Sequence, residues 1–394
     1  MNNFEQYTPT KVIFGKAAEE KAGEAVKKAG GSNVLLVYGG GSAKKSGLLD
    51  RVGKSLEAAG IKYTEFGGAK PNPTLAHAEE GVALAKEKCV DLILAVGGGS
   101  AIDTAKAIAH GTANPDNDLW DLWTKKVPLT KSLPVGAVLT IAAAGSEMSD
   151  SAVLTNESTG AKAGINTEFN RCRFAIMNPE LTFTLPLYQQ AAGITDIMMH
   201  TMERYFIPDI KCDLTDEIAE GLLRTVIKNG RIVMKDQNDY DAQAEIMWCS
   251  SISHNNLTEC GRGKDFSVHK FGHALSAVFD YTHGASLAAV WGAWAEYLYK
   301  DAPERFAKFA RNVWNIKDDD DLGAAKKGID ATVEYFKSLG MPVSLKEIGP
   351  DVDWTDEVIR TLAMKATMQD TVKLSRIRPI GAAEAAQIYK LALR

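Results

Sequence analysis

The sequence has few cysteines and no closely spaced pair of them. The 394 residues include five cysteines, and no two form a C-x-x-C pair: Cys89, Cys172, Cys212, Cys249 and Cys260. A scattered, odd-numbered set does not support a disulfide framework, and it argues against a closed structural zinc site with cysteine ligands. We therefore expect a protein of a reducing compartment.

The chain also lacks a long apolar run, a leader pattern and an excess of basic residues. Its longest apolar window, SLAAVWGAWAEYLY, is interrupted by Glu296 and is too short to span a bilayer. The start, MNNFEQYTPTKVIFG, has no basic stretch followed by an apolar one. The net charge of −5 argues against nucleic-acid binding. We expect a cytoplasmic protein with neither a membrane nor a nucleic-acid partner.

The first half of the chain alternates short apolar runs with helical patterns. The strand-like runs are KVIFG (11–15), NVLLVY, KYTEF, DLILAV, PVGAVLTIA, SAVLTN and RFAIMN. Near-continuous apolar strands between helices predict a parallel sheet that is covered on both faces. Residues 1–186 are predicted to form a doubly wound α/β dinucleotide-binding domain. From residue 187 onward helical patterns dominate, so 187–394 are predicted to be an all-helical domain, to which the histidines described below give a metal-binding and substrate role.

Two loops share the tetrapeptide Gly-Gly-Gly-Ser, at residues 39–42 and 97–100. Each loop follows an apolar strand and precedes a helix, where a phosphate can approach bare backbone at a helix N-terminus. Neither matches G-x-G-x-x-G, and a tight turn explains either loop taken singly. Ser100 and Asp103 also form an S-x-x-D capping pattern that needs no ligand. Two such loops in one sheet together favour a bound dinucleotide.

The first glycine loop favours one nicotinamide cofactor over the other. NAD-specific sites usually carry an acidic residue that accepts a hydrogen bond from the ribose 2′-hydroxyl. The stretch VYGGGSAKKSG has no carboxylate; it offers Gly40 and Ser42, followed by Lys44 and Lys45. Small residues leave room for a 2′-phosphate and lysines attract it. We therefore predict NADP(H) over NAD(H).

Five of the seven histidines fall between residues 200 and 283. Asp196 and His200 share a helix face by their i, i+4 spacing, as do His269 and His273, and His283 follows ten residues later. A single histidine on an apolar face is usually a core residue, but the set predicts a metal centre. A carboxylate with imidazoles suits Fe²⁺ or Zn²⁺. Spacing leaves open which histidines bind, and it favours the pair His269 and His273.

A set of ordered motifs resembles the iron-containing alcohol dehydrogenase family along essentially the whole chain. The motifs are PTKVIFG, PNPT (71–74), GGGSAIDTAK, TIAAAGSEMSDSAV, NPELTFTLP, the Asp196/His200 helix and HKFGHALSAVFDYTHG. Within the family the chain is most similar to the butanol dehydrogenase and aldehyde reductase type. The resemblance implies the two-domain fold shared with dehydroquinate synthase, and a homodimer.

The same resemblance implies roles for individual residues. The metal ligands would be Asp196, His200, His269 and His283, with His273 beside the site as a proton relay or a packing residue. His254 matches no ligand and is expected to be structural. The residues expected to contact the cofactor are Gly40, Ser42, Asn72, Gly97, Gly98, Gly99, Ser100, Thr140, Ser149, Lys162 and Thr182.

The function implied is a metal-dependent, NADP(H)-linked interconversion of primary alcohols and aldehydes by hydride transfer. One alternative is a glycerol-dehydrogenase-like polyol oxidoreductase, although those relatives bind metal with fewer histidines. Another is a non-catalytic sensor of NADP or metal. Trp248 and Phe266 could line an apolar substrate pocket or belong to the core. The physiological substrate and the native metal stay open at this stage.

Overall fold

The computed structural model describes residues 1–208 and 210–394, which divide into two compact units. One unit comprises residues 7–184, and the other comprises residues 1–6 together with 185–394. The domain limits inferred from the sequence, 1–186 and 187–394, stay a prediction. They differ from the structure in the first six residues, which lie with the helical unit. The Asn2 amide donates to the Gly261 carbonyl at 2.8 Å, a long-range hydrogen bond that no local sequence pattern predicts.

The α/β unit contains a six-stranded, wholly parallel sheet in the order β1-β8-β5-β4-β2-β3. This confirms the predicted doubly wound sheet. The strands of the whole unit are β1 Lys11–Phe14, β2 Asn33–Tyr38, β3 Lys62–Phe66, β4 Leu92–Gly97, β5 Val135–Leu139, β6 Ser151–Asn156, β7 Ala161–Asn166 and β8 Phe174–Met177.

The run SAVLTN does not join this sheet. It forms β6, which pairs antiparallel with β7 in a separate two-stranded sheet. Strand β7, AKAGIN, was not predicted, because its small residues give no clear strand signal and it is largely solvent-accessible. The pair is closed by a turn in which Gly160 has φ +64°, a left-handed conformation that glycine adopts without strain.

The order of the strands brings the two glycine loops together. Every residue of β4 is buried, as expected for a central strand covered on both faces. The chain runs outward from β2 to β3 and then returns to place β4 on the opposite side of β2. Tyr38 and Val96 are paired in register, so the loops at 39–42 and 97–100 leave neighbouring strands at the carboxyl edge. This reversal of strand order is where doubly wound folds bind ligands.

Helices cover the sheet and build the second unit, as predicted. Among the described residues of the second unit, the β-pairing consists of one bridge between Leu374 and Ile380. The α-helices are α1 Ala22–Lys28, α2 Ser42–Lys45, α3 Leu48–Ala58, α4 Leu75–Glu87, α5 Gly99–Ala113, α6 Leu119–Trp123, α7 Leu187–Tyr205, α8 Asp213–Val233, α9 Tyr240–Ser253, α10 Ser267–Phe279, α11 His283–Leu298, α12 Pro303–Trp314, α13 Asp321–Ser338, α14 Leu345–Ile348, α15 Asp356–Ala366 and α16 Ala382–Leu391.

The state of the cysteines and the character of the helices can be read directly from the structure. All five cysteines are free thiols. Within residues 1–208 and 210–394, no helix has the length and apolar character needed to cross a membrane.

Candidate active site

Three ionisable side chains of helix α7 lie along one of its faces. Asp196, His200 and Glu203 are spaced at i, i+4 and i+7, so they lie along a single stripe. They are 3%, 4% and 1% exposed. Burying three such groups is costly unless each has a partner, which indicates that something outside the helix compensates them.

Three imidazole nitrogens surround one oxygen of Asp196. His200 Nδ1, His269 Nε2 and His283 Nε2 each lie 3.5 Å from Asp196 Oδ1. Two donor atoms that bind one tetrahedral ion at about 2.0–2.2 Å are separated by roughly 3.4 Å. The histidines come from the middle of α7, the first turn of α10 and the start of α11. The structure therefore places all three histidines that the family resemblance named near Asp196, and the donor atoms of Asp196, His200 and His269 lie within 4.8 Å of one another.

These atoms fit a metal better than they fit one another. Asp196 Oδ1, His200 Nδ1 and His269 Nε2 are buried, and apart from their 3.5 Å contacts with one another they make no hydrogen bond to any residue that the structure describes. An unpaired buried polar atom is costly, and a divalent cation would satisfy all three at once. His283 is the most accessible member, with 31% of its side chain exposed.

His273 lies beside this group. Its ring stacks on His283 with a centroid separation of 5.2 Å and meets the edge of His269 at 5.9 Å. The pair favoured by spacing alone, His269 and His273, therefore makes ring contact. His269 Nε2 faces Asp196 Oδ1 at 3.5 Å, whereas the spacing argument placed both rings of the pair at the metal.

The charge around the site is divided unevenly between the histidines. Burial, reinforced by His254, His269 and Arg204, lowers the pKa of His200 well below its ordinary value. Burial alone would also lower the pKa of His269, but the carboxylates of Glu203 and Asp196 outweigh it and raise that pKa to about 9. Burial raises the pKa of Glu203 against the opposing effect of His269. In the metal-free protein at neutral pH, His200 is neutral and His269 carries a proton.

Metal binding is therefore expected to displace a proton from His269. Only the unprotonated ring can bind, so the apparent affinity rises with pH by up to about tenfold per unit until pH approaches the pKa near 9. His200 is already neutral and contributes no proton. Calorimetric titration of Zn²⁺ into metal-free protein, in two buffers of different ionisation enthalpy, should report about one proton released per site. An affinity that is independent of both pH and buffer would contradict this assignment.

His254 and Phe266 complete the surroundings of the histidines. The His254 ring is tilted against that of His200 with the ring centres 4.1 Å apart, and its Nδ1 lies 2.9 Å from Arg204 Nη2, which accounts for His254 without a metal. Phe266 meets the edge of His269 at 4.9 Å and has the Arg204 guanidinium 4.7 Å from its ring centre. Trp248 is 42% exposed on α9, so it is not a core residue.

Gly284 allows α11 to approach α7 at the metal site. A Cβ added there would lie 2.1 Å from the Ala192 carbonyl oxygen and 2.7 Å from its carbon. Ala192 is one helical turn before Asp196, and Gly284 follows His283 directly. This close backbone contact therefore sets the distance between His283 and Asp196.

Replacing Gly284 by alanine is expected to weaken metal binding at least about tenfold. The clash is with backbone, so the start of α11 has to move, at a cost of about 1–3 kcal/mol in stability. Gly221→Ala on α8 is the matched control, because its Cβ would find only the Arg224 side chain at 3.8 Å. Metal affinity and the Tm of the metal-free protein are measured for both variants. Equal affinities in the two variants would refute the positioning role of Gly284.

The predicted cofactor residues all lie in the α/β unit, mostly at the carboxyl edge of its sheet. Gly40 and Ser42 are exposed at the end of β2, and Gly97, Gly98, Gly99 and Ser100 join β4 to α5. A Cβ at Gly98 would lie 2.1 Å from Ile141 Cγ2, so packing also requires this glycine. The Thr140 amide donates to the Gly97 carbonyl at 3.1 Å.

The capping pattern proposed for Ser100 and Asp103 is wrong. Gly98 is the N-cap of α5 and no side chain caps this end. Asp103 instead accepts from Ser146 Oγ at 2.6 Å and from the Val153 amide at 2.9 Å. The S-x-x-D pattern predicts that Ser100 immediately precedes the helix. Helix α5 already begins at Gly99, so Ser100 lies inside it and cannot be its N-cap. The backbone N–H groups at the start of α5 are left for another partner, as phosphate-binding helices require.

The remaining cofactor candidates are held in different ways. Lys162 on β7 donates to Asn72 Oδ1 at 2.8 Å, so two candidates 90 residues apart are brought together. Asn72 has φ +56°, a conformation that asparagine tolerates. Ser149 is fully buried and donates to the Ser151 carbonyl at 3.1 Å, and buried Thr182 donates to the Pro179 carbonyl at 2.7 Å. Their cofactor contacts stay predictions.

The sequence analysis missed two residues that organise these sites. Glu203 contacts His269, and its signal was available as a third polar group on the Asp196/His200 stripe. Lys106 is fully buried, and its ammonium donates to the Ser146 carbonyl at 2.7 Å and the Ser151 carbonyl at 2.8 Å. It thereby fixes the segment that carries Ser149. A lysine within the apolar pattern of AIDTAKAIA was the signal for it.

Comparison with known proteins matches both halves of the chain to one family. The model described as "Iron-containing alcohol dehydrogenase" covers residues 9–179. The model described as "Fe-containing alcohol dehydrogenase family, C-terminal" covers residues 190–393. Between them they span nearly all of the chain, and they include the candidate metal ligands and most of the cofactor candidates.

Individual relatives are similar over the full length. The NADH-dependent butanol dehydrogenase A of Clostridium acetobutylicum is 41% identical over 99% of this chain and 99% of its own. The NADPH-dependent aldehyde reductase YqhD of Escherichia coli is 36% identical over 89% of this chain and 90% of its own. The crystal structure of NADH-dependent butanol dehydrogenase A from Thermotoga maritima superposes with a TM-score of 0.95 at 37% identity, covering 100% and 99% of the two chains.

Proposed function

Because this chain belongs to the iron-containing alcohol dehydrogenase family, we propose that it interconverts short primary aldehydes and alcohols of the butanol class with NADP(H) and one divalent metal ion. That it is an alcohol or aldehyde oxidoreductase follows from the family and the relatives. The metal dependence, the cofactor preference and the substrate class are the proposal. The observation that carries it is the convergence of three imidazole nitrogens at 3.5 Å from Asp196 Oδ1.

In this proposal Asp196, His200, His269 and His283 hold an Fe²⁺ or Zn²⁺ ion. When bound, the ion would supply Lewis-acid polarisation of the substrate oxygen, and the nicotinamide would supply or accept the hydride. Burial of three of the ligands keeps bulk water away from them. The partly exposed His283 marks the side from which a substrate oxygen can approach.

His273 is proposed to carry a proton between the substrate oxygen and solvent. It is partly exposed and stacks on His283, so it adjoins the accessible side of the site. Histidine can exchange a proton near neutral pH. A His273→Ala variant that keeps both its metal and the wild-type pH–rate profile would exclude this role.

The preference for NADP(H) rests on the end of β2. Lys44 and Lys45 are exposed in α2, immediately after the glycine loop. The carboxylate of Glu65, on neighbouring β3, accepts a hydrogen bond from the Tyr38 hydroxyl at 3.1 Å. The relatives do not decide the matter, because those compared above include both NADH-dependent and NADPH-dependent enzymes. The predicted contacts at Asn72, Thr140, Ser149, Lys162 and Thr182 belong to the same proposal.

The test is a matrix of substrates, cofactors and metals. Metal-free protein is reconstituted anaerobically with Fe²⁺ or Zn²⁺, and turnover of butanal, butanol and glycerol is measured with NADPH, NADH and their oxidised forms. We expect the highest kcat/KM with butanal and NADPH, and we expect no turnover of any substrate without metal. Glycerol as the preferred substrate would favour the polyol alternative, and an equal or higher kcat/KM with NADH would refute the cofactor preference.

Two further expectations stay predictions. A homodimer is testable by sedimentation velocity, with a monomer at micromolar concentration as the contrary result. A cytoplasmic location is testable by cell fractionation.

A further inference from the structure

One buried carboxylate joins helix α7 to helix α10. Glu203 is 1% exposed, and its Oε1 accepts hydrogen bonds from the backbone amides of Val268 at 2.5 Å and His269 at 3.2 Å. Its other oxygen, Oε2, is hydrogen-bonded to Nδ1 of the His269 ring. Helix α10 has no cap from its own N-cap residue, Phe266, which lies in a left-handed conformation with φ +60°. Asp265 Oδ1 accepts from the Ser267 amide at 2.9 Å, and Glu203 caps the next two amides from another helix.

The two oxygens of this carboxylate act on two different parts of His269. Oε1 fixes the backbone of the first turn of α10, and Oε2 fixes the ring. A carboxylate oxygen can only accept a hydrogen bond, so it requires a proton on Nδ1. A neutral ring protonated on Nδ1 keeps its lone pair on Nε2, the atom that lies 3.5 Å from Asp196 Oδ1.

We propose that Glu203 is a positioning residue that holds His269 in the Nδ1–H tautomer, so that Nε2 is available to bind a divalent cation. The inference rests on the proposed metal-dependent function and deepens it. A carboxylate that only capped the helix would need one oxygen, whereas here the second oxygen is committed to the ring. Carboxylate partners of this kind fix the orientation of metal-binding histidines.

Glu203→Gln separates the cap from the tautomer. The glutamine has the same shape, and its amide oxygen can still accept from the Val268 and His269 amides. Its NH₂ group then faces Nδ1 and donates, which forces the ring proton onto Nε2. Rotating the glutamine amide by 180° would not avoid this result, because its NH₂ donor would then face the backbone N–H donors of Val268 and His269.

The primary measurement is the affinity for Zn²⁺ alone, in chelator-buffered titrations of the full chain. It is made at about pH 10 and repeated at a second alkaline pH to show that the affinity no longer changes with pH, so that competition from protons does not enter the comparison. We expect Glu203→Gln to bind Zn²⁺ about 10–100-fold more weakly than the wild-type protein. The Tm of the metal-free variant, measured at the same alkaline pH, is expected to stay close to that of the wild type.

Glu259→Gln is the matched control. Glu259 is also a carboxylate beside α7, but it pairs with Arg204 at 2.9 Å rather than with a metal-ligand ring. We expect this variant to retain the wild-type Zn²⁺ affinity. An affinity loss of the same size in both variants, or none in Glu203→Gln, would overturn the proposal.

The ring tautomer gives a second readout that needs no metal. Nitrogen-15 chemical shifts of His269 at about pH 10 should report Nδ1–H in the wild-type protein and Nε2–H in Glu203→Gln. The same tautomer in both proteins would overturn the positioning role. Failure of the wild-type chain to bind Zn²⁺ would instead contradict the proposed function, because the tautomer can still be read in metal-free protein.

Discussion

Replacing Asp196 by asparagine is expected to lower kcat/KM for aldehyde reduction by at least about a thousand-fold, because the loss of a bound Lewis acid removes several kcal/mol of transition-state stabilisation. Asp196 Oδ1 is the atom that His200, His269 and His283 all face at 3.5 Å. Asparagine keeps the shape but removes the negative charge that offsets a cation among three imidazoles. The purified variant should hold well under one metal ion per chain.

The control for Asp196→Asn is Asp356→Asn, which makes the same chemical change on a side chain that is 86% exposed. It should keep wild-type rate and metal content. Wild-type protein stripped with a chelator should regain activity when Zn²⁺ or Fe²⁺ is returned, and Asp196→Asn should not. If Asp196→Asn held one metal ion per chain and kept near-normal turnover, the proposed metal centre would be refuted.

The second large effect is expected at Gly40, where an aspartate should reverse the cofactor preference. A carboxylate at the end of β2 would repel a 2′-phosphate and accept a hydrogen bond from a free 2′-hydroxyl. Gly40 is exposed, and a Cβ added there has no atom within 4 Å, so the substitution introduces no clash. We expect kcat/KM with NADPH to fall by about a hundred-fold or more, and that with NADH to change by less than about fivefold.

Gly40→Asn separates charge from size in this experiment. It fills the same space without the negative charge, so it should reduce kcat/KM with NADPH far less than aspartate does. Both variants are assayed with both cofactors at saturating butanal. If asparagine and aspartate reduce NADPH use equally, the effect is steric, and the argument from the missing carboxylate fails.

Local patterns were sufficient for most of the fold. Runs such as NVLLVY and LILAVG are apolar throughout because their strands are buried on both faces, and that property can be read without a structure. Strand β7 was missed because AKAGIN gains its conformation from pairing with β6 rather than from its own residues. The attachment of residues 1–6 to the helical unit was missed for the same reason, since the Asn2 amide pairs with a residue far along the chain.

For the site, the sequence named the residues but not the reasons for their arrangement. The ligand set came from a family resemblance, and the helix spacing by itself favoured His269 with His273. The i, i+7 relation of Asp196 and Glu203 was readable, but the contact of Glu203 with His269 depends on how α7 and α10 pack. The requirement for glycine at residue 284 could not be predicted from the sequence, because it arises from the contact with the Ala192 backbone in the folded protein.

The sequence by itself determined the secondary structure of most segments, the parallel sheet and the residue types of a candidate metal centre, because periodicity and turn chemistry act over a few neighbouring residues. Only the tertiary structure decided which nitrogen of each histidine faces Asp196, which carboxylate orients His269 and which glycine lets α11 approach α7. Those features depend on atoms from α7, α10 and α11 meeting within a few ångströms. Distances between segments so far apart in the chain are set by packing, which no local pattern encodes.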